Sequence, residues 1–447
     1  MNVIGLDIGT TTLCAAVFRA EDGAVLDTVS EPSVPFSEND APGERTQDAD
    51  GILCRAEAII SHLTEKYAPV GAIGITGQMH GIVYLDRTCR PQSPLYTWQD
   101  RRAAMGAVGA STLDRIFEKT GYRVNAGYGL GTHLYMAEKG LVSPYASSLS
   151  TIHAALAARL CGHGRAKLHA SDAASLGLFD LAAADFDPDA AAALGIDRSF
   201  LPDVTAGTEC IGTYRGIPVA VAIGDNQASF LGTVSGMDGA VLCNVGTGAQ
   251  ISVMTKELSS PPVGELRPLT EGTYLFCGCS LCGGKALSLL ERFFRECVRL
   301  CGGEDVPRYD MICRLEEEAA ALPAPLRFDT LFCGSRKDPD ATASVSGLTE
   351  DNFTPAHFVR GVLDGIAREL CDEYRAFAGT AVPQRLYGSG NGIRKNKALQ
   401  AAFERELQTG MLVPRHCEEA AAGAAFFAAD AAGILPLAAS QQRILYR

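Results

Sequence analysis

Asp7-Ile8-Gly9-Thr10-Thr11-Thr12 closes one apolar run, Val3 to Ile8, and opens another, Leu13 to Phe18. Asp22-Gly23 then turns the chain into Val25 to Val29, so the opening reads as three strands joined by turns. The same phrase returns in the second half of the chain. Ala240 to Val245 is an apolar run, Gly246-Thr247-Gly248 is the turn, and Gln250 to Met254 is the returning strand. Gly9 and Gly246 stand 237 residues apart, about half the chain. The shared phrase is either a chance identity or a repeat; a repeat predicts an α/β protein of two related lobes, 1–236 and 237–447, each headed by a hairpin with glycine and threonine at its turn.

Helices alternate with these strands. Ile52, Ala56, Ile59, Ile60 and Leu63 recur at helical spacing within a segment from Gln47 to Lys66. Ala72 to Thr76 and Ile82 to Asp86 read as strands around the loop Gly77-Gln78-Met79-His80-Gly81. Further helices are expected at Asp189 to Leu194, Gly284 to Arg299, Pro355 to Phe377 and Ala420 to Ala432, the first and last because alanine is the best helix former.

Composition narrows the function. The 447 residues are 47% hydrophobic and 20% charged, the balance of a protein with a large core. The net charge of −13 argues against a nucleic-acid backbone as the main partner. Met1 to Asp7 carries neither a basic n-region nor a long apolar run, and the Ala420 to Ala429 stretch is too short to span a bilayer. A cytoplasmic protein without a membrane partner is expected, its fifteen cysteines free thiols.

Three glycine-rich turns are candidate anion sites. Successive backbone N–H groups and hydroxyls at Gly9, Thr10 and Thr11, and again at Gly246, Thr247 and Gly248, suit phosphate oxygens, although each turn alone is also an ordinary hairpin. Tyr387-Gly388-Ser389-Gly390-Asn391-Gly392 follows an apolar run and precedes a helix expected near Lys395, so it is either a ligand-approaching loop or a plain strand-to-helix turn. Gly283-Gly284-Lys285-Ala286 is not a P-loop, because Cys279 and Ala286 stand where glycine and a hydroxyl residue are required. Cys277, Cys279 and Cys282 lack the matching half of a zinc site and read as packing residues. Ile217 to Ile223 is a buried-strand run that delivers Gly224-Asp225-Asn226. Asp225 there is either a general base at a strand end or a helix N-cap.

Taken in order, these pieces resemble the FGGY carbohydrate kinases. The series is Asp7 to Thr12, Gly77 to Gly81, Trp98-Gln99-Asp100-Arg101, Ser171 to Ser175 with Leu178-Phe179-Asp180, and Gly224-Asp225-Asn226. It continues through Asn244 to Gly248, Gly334-Ser335-Arg336, Gly388-Ser389-Gly390 and Glu418 to Ala425. The resemblance implies two actin-like, ribonuclease-H-like lobes with a cleft between them, and transfer of phosphate from ATP to a sugar hydroxyl. It implies Asp225 as the base, Asp7 as the Mg²⁺ residue, and Gly9, Thr10, Thr11, Gly246, Thr247 and Gly248 on the phosphates. Gly388, Ser389, Gly390 and Asn391 would lie near adenosine. Gln78, Met79, His80, Trp98, Gln99, Asp100 and Asn226 would line the sugar pocket. Gln99, Thr132 and the run Asn226-Gln227-Ala228-Ser229 resemble the branch acting on sedoheptulose; xylulose or another polyol is the alternative. Arg394 to Lys397 and Phe403-Glu404 depart from the family's second-lobe pattern. The resemblance also allows a homodimer, and a non-enzymatic actin-like ATP-binding protein is the reading from another class.

Overall fold

The computed structural model describes all residues except 106–110, 321, 323–325, 336, 337 and 339, so Arg336 of the quoted Gly334-Ser335-Arg336 lies outside the described residues. The first sheet begins with β1 (Asn2–Ile8), β2 (Thr12–Arg19) and β3 (Val25–Pro32), an antiparallel meander. Helix α1 (Ala49–Lys66) crosses over and returns the chain as β4 (Val70–Gly77), parallel to β1. Helices α2 (Gly129–Glu138) and α3 (Ile152–Cys161) follow, then β5 (Cys210–Tyr214), β6 (Ile217–Ala220) and the short β7 (Ile223–Gly224). The order across the sheet is β5-β6-β4-β1-β2-β3, with β7 pairing on β4. Helix α4 (Asp225–Leu231) leaves directly from β7.

The second half repeats the plan. β8 (Ala240–Val245) and β9 (Ala249–Thr255) form the hairpin, followed by β10 (Glu265–Pro268) and β11 (Tyr274–Ser280). Helices α5 (Gly284–Leu300), α6 (Tyr309–Ala320) and α7 (Pro355–Ala378) precede β12 (Arg385–Ser389), which lies parallel to β8. Then come α8 (Gly390–Lys395), α9 (Lys397–Leu407), β13 (Met411–Leu412) and α10 (Glu419–Ala431). The order is β10-β11-β9-β8-β12-β13. In both halves the first strand sits centrally, antiparallel to the second and parallel to the strand after the crossover, as the internal repeat predicts. Asp7 opposite Cys14 and Asn244 opposite Gln250 hold the same place in the two hairpins.

One expected boundary shifts. The helix placed near Lys395 begins at Gly390, because Gly390 at φ 79° turns the chain out of β12 at once. Asn396 then interrupts it and caps α9, its Oδ1 accepting from the Leu399 N–H at 2.8 Å.

Helix α10 belongs in sequence to the second half but lies on the first sheet. A Cβ on Gly5 would fall 1.8 Å from the Ala421 carbonyl oxygen, and one on Gly74 would fall 1.9 Å from that of Ala424. Only glycine lets the helix backbone seat flush on the strands at these points. The core around α10 joins Val3, Ala16, Ala72 and Ala220 to Leu242, Phe426 and Phe427, so one apolar layer ties both halves together beneath the cleft.

Candidate active site

Two carboxylates face each other at the sheet ends. Asp7 is the last residue but one of β1, beside the Gly9 turn, and its Oδ1 is buried without a hydrogen-bond partner. Burial, then the charges of Asp225 and Glu418, push its carboxyl up to about 7, while His153 pulls the other way. Asp225 is carried by β7: Ile223 and Gly224 pair with Thr76 and Gly77, Thr76 Oγ1 donates to the Ile223 carbonyl at 2.8 Å, and Gly224 N–H donates to Ser171 Oγ at 3.1 Å. Gly224 is the N-cap of α4 and Asp225 its first residue, so the carboxylate is not spent on capping. Burial pushes Asp225 up to about 6, against the opposing pull of His153, Arg267 and the Asn226 N–H. Behind them His153 Nε2 and Asp172 Oδ2 lie 3.0 Å apart, both fully buried. Burial alone would lower His153, but the neighbouring Asp172, Asp225 and Asp7 outweigh it and hold the ring above its ordinary value.

A cavity of about 450 Å³ joins these groups to the second hairpin. Asp7, Asp225, Asn226, Gly246, Thr247, Gly248 and Glu418 line it. Gly246 and Thr247 are braced from α5, where Gly284 N–H donates to the Gly246 carbonyl at 2.9 Å and Lys285 N–H to that of Thr247 at 3.0 Å. The Gly283-Gly284-Lys285 segment is therefore no P-loop, yet it supports this turn. A second cavity of about 870 Å³ opens beyond it, with Thr247, Lys285, Tyr309, Glu316, Asn391 and Asn396 on its wall. Asn391 reaches this cavity. Gly388 and Ser389 do not line it: Ser389 is fully buried, with its Oγ accepting from Asn244 Nδ2 at 2.9 Å, and Gly388 packs under Met411. Gly390 supplies the turn between them.

A third cavity of about 790 Å³ lies on the first lobe, lined by Glu44, Arg45, His80, Trp98, Gln99, Arg101, Asn125 and Tyr128. Trp98 is 46% exposed, and its indole N–H donates to Thr10 Oγ1 at 2.9 Å. That hydroxyl in turn donates to Gln78 Oε1 at 3.2 Å, while Gln78 Nε2 donates to Gln47 Oε1 at 3.1 Å. Gln78 and Met79 are both 3% exposed and sit behind the wall, not on it. His80 adopts φ 73°, and its Nδ1 lies 2.8 Å from the Ser175 carbonyl. A carbonyl only accepts, so Nδ1 carries a proton. The ring stacks on Tyr128 at 4.3 Å.

Asp100 is placed elsewhere than a sugar ligand requires. It is fully buried, accepts from Arg102 Nε and Nη2 at 2.8 Å each, and accepts the backbone N–H groups of Arg45 and Arg102 at 3.0 Å. A carboxylate so occupied shapes the loop carrying Trp98 and Gln99 and does not itself reach the cavity. Tyr128, Asn125, Ser175, Glu418 and Lys285 were not among the expected site residues; they come to the cavities or their walls from separate segments.

One cavity shared by the second hairpin turn and the carboxylates Asp7 and Asp225 of the first lobe marks a phosphotransferase site of the actin-like fold. Residues 2–232 match the N-terminal domain of the FGGY family of carbohydrate kinases, and residues 241–432 match its C-terminal domain. The chain belongs to that family and is an ATP-dependent carbohydrate kinase. It is 26% identical to the sedoheptulokinase of Homo sapiens over 94% of this chain and 96% of the relative. It is 28% identical to the glycerol kinase of Alkalilimnicola ehrlichii over 97% of this chain and 90% of the relative. The crystal structure of xylulose kinase from Rhodospirillum rubrum shares the fold, with a TM-score of 0.84 at 24% identity over 100% of this chain and 93% of that one. Among the described residues, no helix is long and apolar enough to cross a membrane.

Proposed function

We propose that the kinase phosphorylates the terminal hydroxyl of a ketose, sedoheptulose first among them, with residues 1–236 as the acceptor lobe and 237–447 as the nucleotide lobe. The observation that carries this reading is Asp225, an uncommitted carboxylate at a strand end between the phosphate-suited turns and the loop of Met79 and His80. Met79 packs against Gly224, so the acceptor loop and the base are positioned by one another. Asp225 takes the proton of the attacking hydroxyl; Thr10, Thr11, Gly246, Thr247 and Gly248 hold the phosphates; Trp98, Gln99 and His80 hold the sugar, the exposed indole covering its C–H face. The 790 Å³ cavity has room for a seven-carbon chain, and the similarity to human sedoheptulokinase supports the same substrate.

Mg²⁺ suits the donor set. Among the described residues no three metal-ligating side chains converge, whereas Mg²⁺ is commonly held by one or two carboxylates, water and phosphate. Asp7, with its unpartnered Oδ1, and Glu418 are the residues that would hold it. When bound, the ion supplies charge neutralisation on the transferring phosphoryl group.

The test is sugar-dependent ADP release with Mg-ATP against sedoheptulose, D-xylulose, D-ribulose, L-ribulose, D-fructose and glycerol. Preference for sedoheptulose supports the assignment. Preference for xylulose or glycerol keeps the mechanism and discards the substrate.

A further inference from the structure

Arg267 sits on β10 of the second lobe and is 5% exposed. Its Nε and Nη2 donate to Glu265 Oε2 at 3.1 and 2.7 Å, which leaves Nη1 buried with no partner. An unpaired buried guanidinium N–H is costly and calls for a partner beyond these contacts. The surroundings say what. Arg267 lines a cavity of about 200 Å³ together with Glu265, His80, Asn125 and Tyr128. The last three also line the larger acceptor cavity, so the two spaces adjoin. Tyr128 stacks on His80 and donates its hydroxyl across the cleft to Glu265 at 3.3 Å. Arg267 also lies near enough to Asp225 to act on its charge.

We propose that Arg267 is an acceptor-binding residue, its Nη1 donating to an oxygen of the sugar held among His80, Asn125 and Tyr128. The acceptor site is then completed by the second lobe. Glu265 already balances the guanidinium charge, so the oxygen it binds is a neutral hydroxyl or carbonyl rather than a carboxylate or phosphate. This selects uncharged ketoses and polyols over sugar acids and sugar phosphates. The inference rests on the acceptor cavity proposed above.

The test compares Arg267→Lys, which keeps the pair with Glu265 but removes the Nη1 donor, and the uncharged double variant Glu265→Gln/Arg267→Gln. Both are assayed by ADP release with the best sugar of the wild-type panel. The expected result is a rise of about 10- to 100-fold in KM for the sugar. KM for ATP stays unchanged. A sugar KM within twofold of wild type in either variant overturns the assignment, and so does an ATP KM that rises in step. If both variants melt below the assay temperature, Arg267 is a structural ion-pair residue and the assignment is likewise overturned. If the wild type itself releases no ADP with any sugar of the panel, it is the acceptor reading that fails, and Arg267 falls with it.

Discussion

Asp225→Asn should slow turnover severely and stabilise the fold at the same time. The side chain lies in a protein-lined cleft that disfavours its ionised form, which carries its carboxyl from an ordinary 3.8 to about 6. A group whose acid form is favoured by folding costs stability in its ionised form, at about 1.4 kcal/mol per tenfold in the ionisation constant. Allowing for the open side of the cleft, the penalty is about 2 kcal/mol. Between pH 3.8 and about 6 the native state binds more protons than the unfolded chain, so stability falls as pH rises through that window and is flat above it. The asparagine variant never ionises. At pH 8 it should melt higher by about 2 °C, on an unfolding entropy scaled to this length. The difference should vanish by pH 4. Loss of the base should lower kcat by roughly 10² to 10⁴. In the wild type, kcat/KM should rise with pH through about 6, well above the usual carboxylate range, because only the ionised carboxylate accepts the proton. Coupled ADP release and thermal melts across pH measure both. A variant that turns over within tenfold of wild type, or that melts lower, refutes the reasoning.

Asp100→Ala leaves the buried Arg102 guanidinium without its bidentate partner and should cost about 3 to 5 kcal/mol in chemical denaturation. A change confined to sugar KM with unaltered stability would show Asp100 to be a ligand after all. Lys285→Met should raise KM for ATP severalfold with sugar KM unmoved, since Lys285 lines the cavity beyond Thr247 and not the acceptor cavity. Gly74→Ala places a methyl 1.9 Å from the Ala424 carbonyl oxygen and forces α10 off the sheet. A loss of about 3 kcal/mol or more is expected in a denaturant titration, and one under 1 kcal/mol contradicts the packing.

What the sequence made legible was local. The two Gly-Thr hairpins are turn chemistry between apolar runs, written entirely within a dozen residues, and their repetition exposed the duplicated sheet. Asp225 was legible as a candidate but not as a role, because a base at a strand end and an N-cap have the same neighbours. The geometry of Gly224, which takes the cap, removes the N-cap reading and leaves the base as a proposal. The family resemblance put Asp100 in the sugar pocket, and a carboxylate in a polar loop after a strand presents the same pattern whether it faces out or in. Arg102, two residues on, was the available signal for the inward pair. Gln78 misled in the same way, being the buried partner of Thr10 and not part of the cavity wall. Arg267 was invisible: a single arginine on a short strand has no periodicity, and its meaning comes from Tyr128 and His80, more than 130 residues away in the chain.

Helix α10 shows why the site could not be read lobe by lobe. Its Ala-rich run was recognisable as a buried helix, but nothing in Ala420 to Ala432 says which sheet it covers. Small residues are required because the helix approaches two backbones at once. Gly423 meets α4 so closely that a Cβ would lie 1.8 Å from the Ala228 carbonyl oxygen, while Ala421 and Ala424 meet Gly5 and Gly74. Those contacts fix the N-terminal end of α10 against β1 and α4, the two elements that carry Asp7 and Asp225. Glu418, the N-cap of α10, is thereby delivered to the same cavity as both carboxylates, and its charge is one of the causes that raise Asp7. Arg394 holds Glu419 beside it through a pair that the second lobe supplies. The cavity that Asp7, Asp225 and Glu418 share is thus assembled by backbone contacts between segments 195 to 416 residues apart, which makes Gly5, Gly74 and Gly423 as much determinants of the cleft as the side chains that line it.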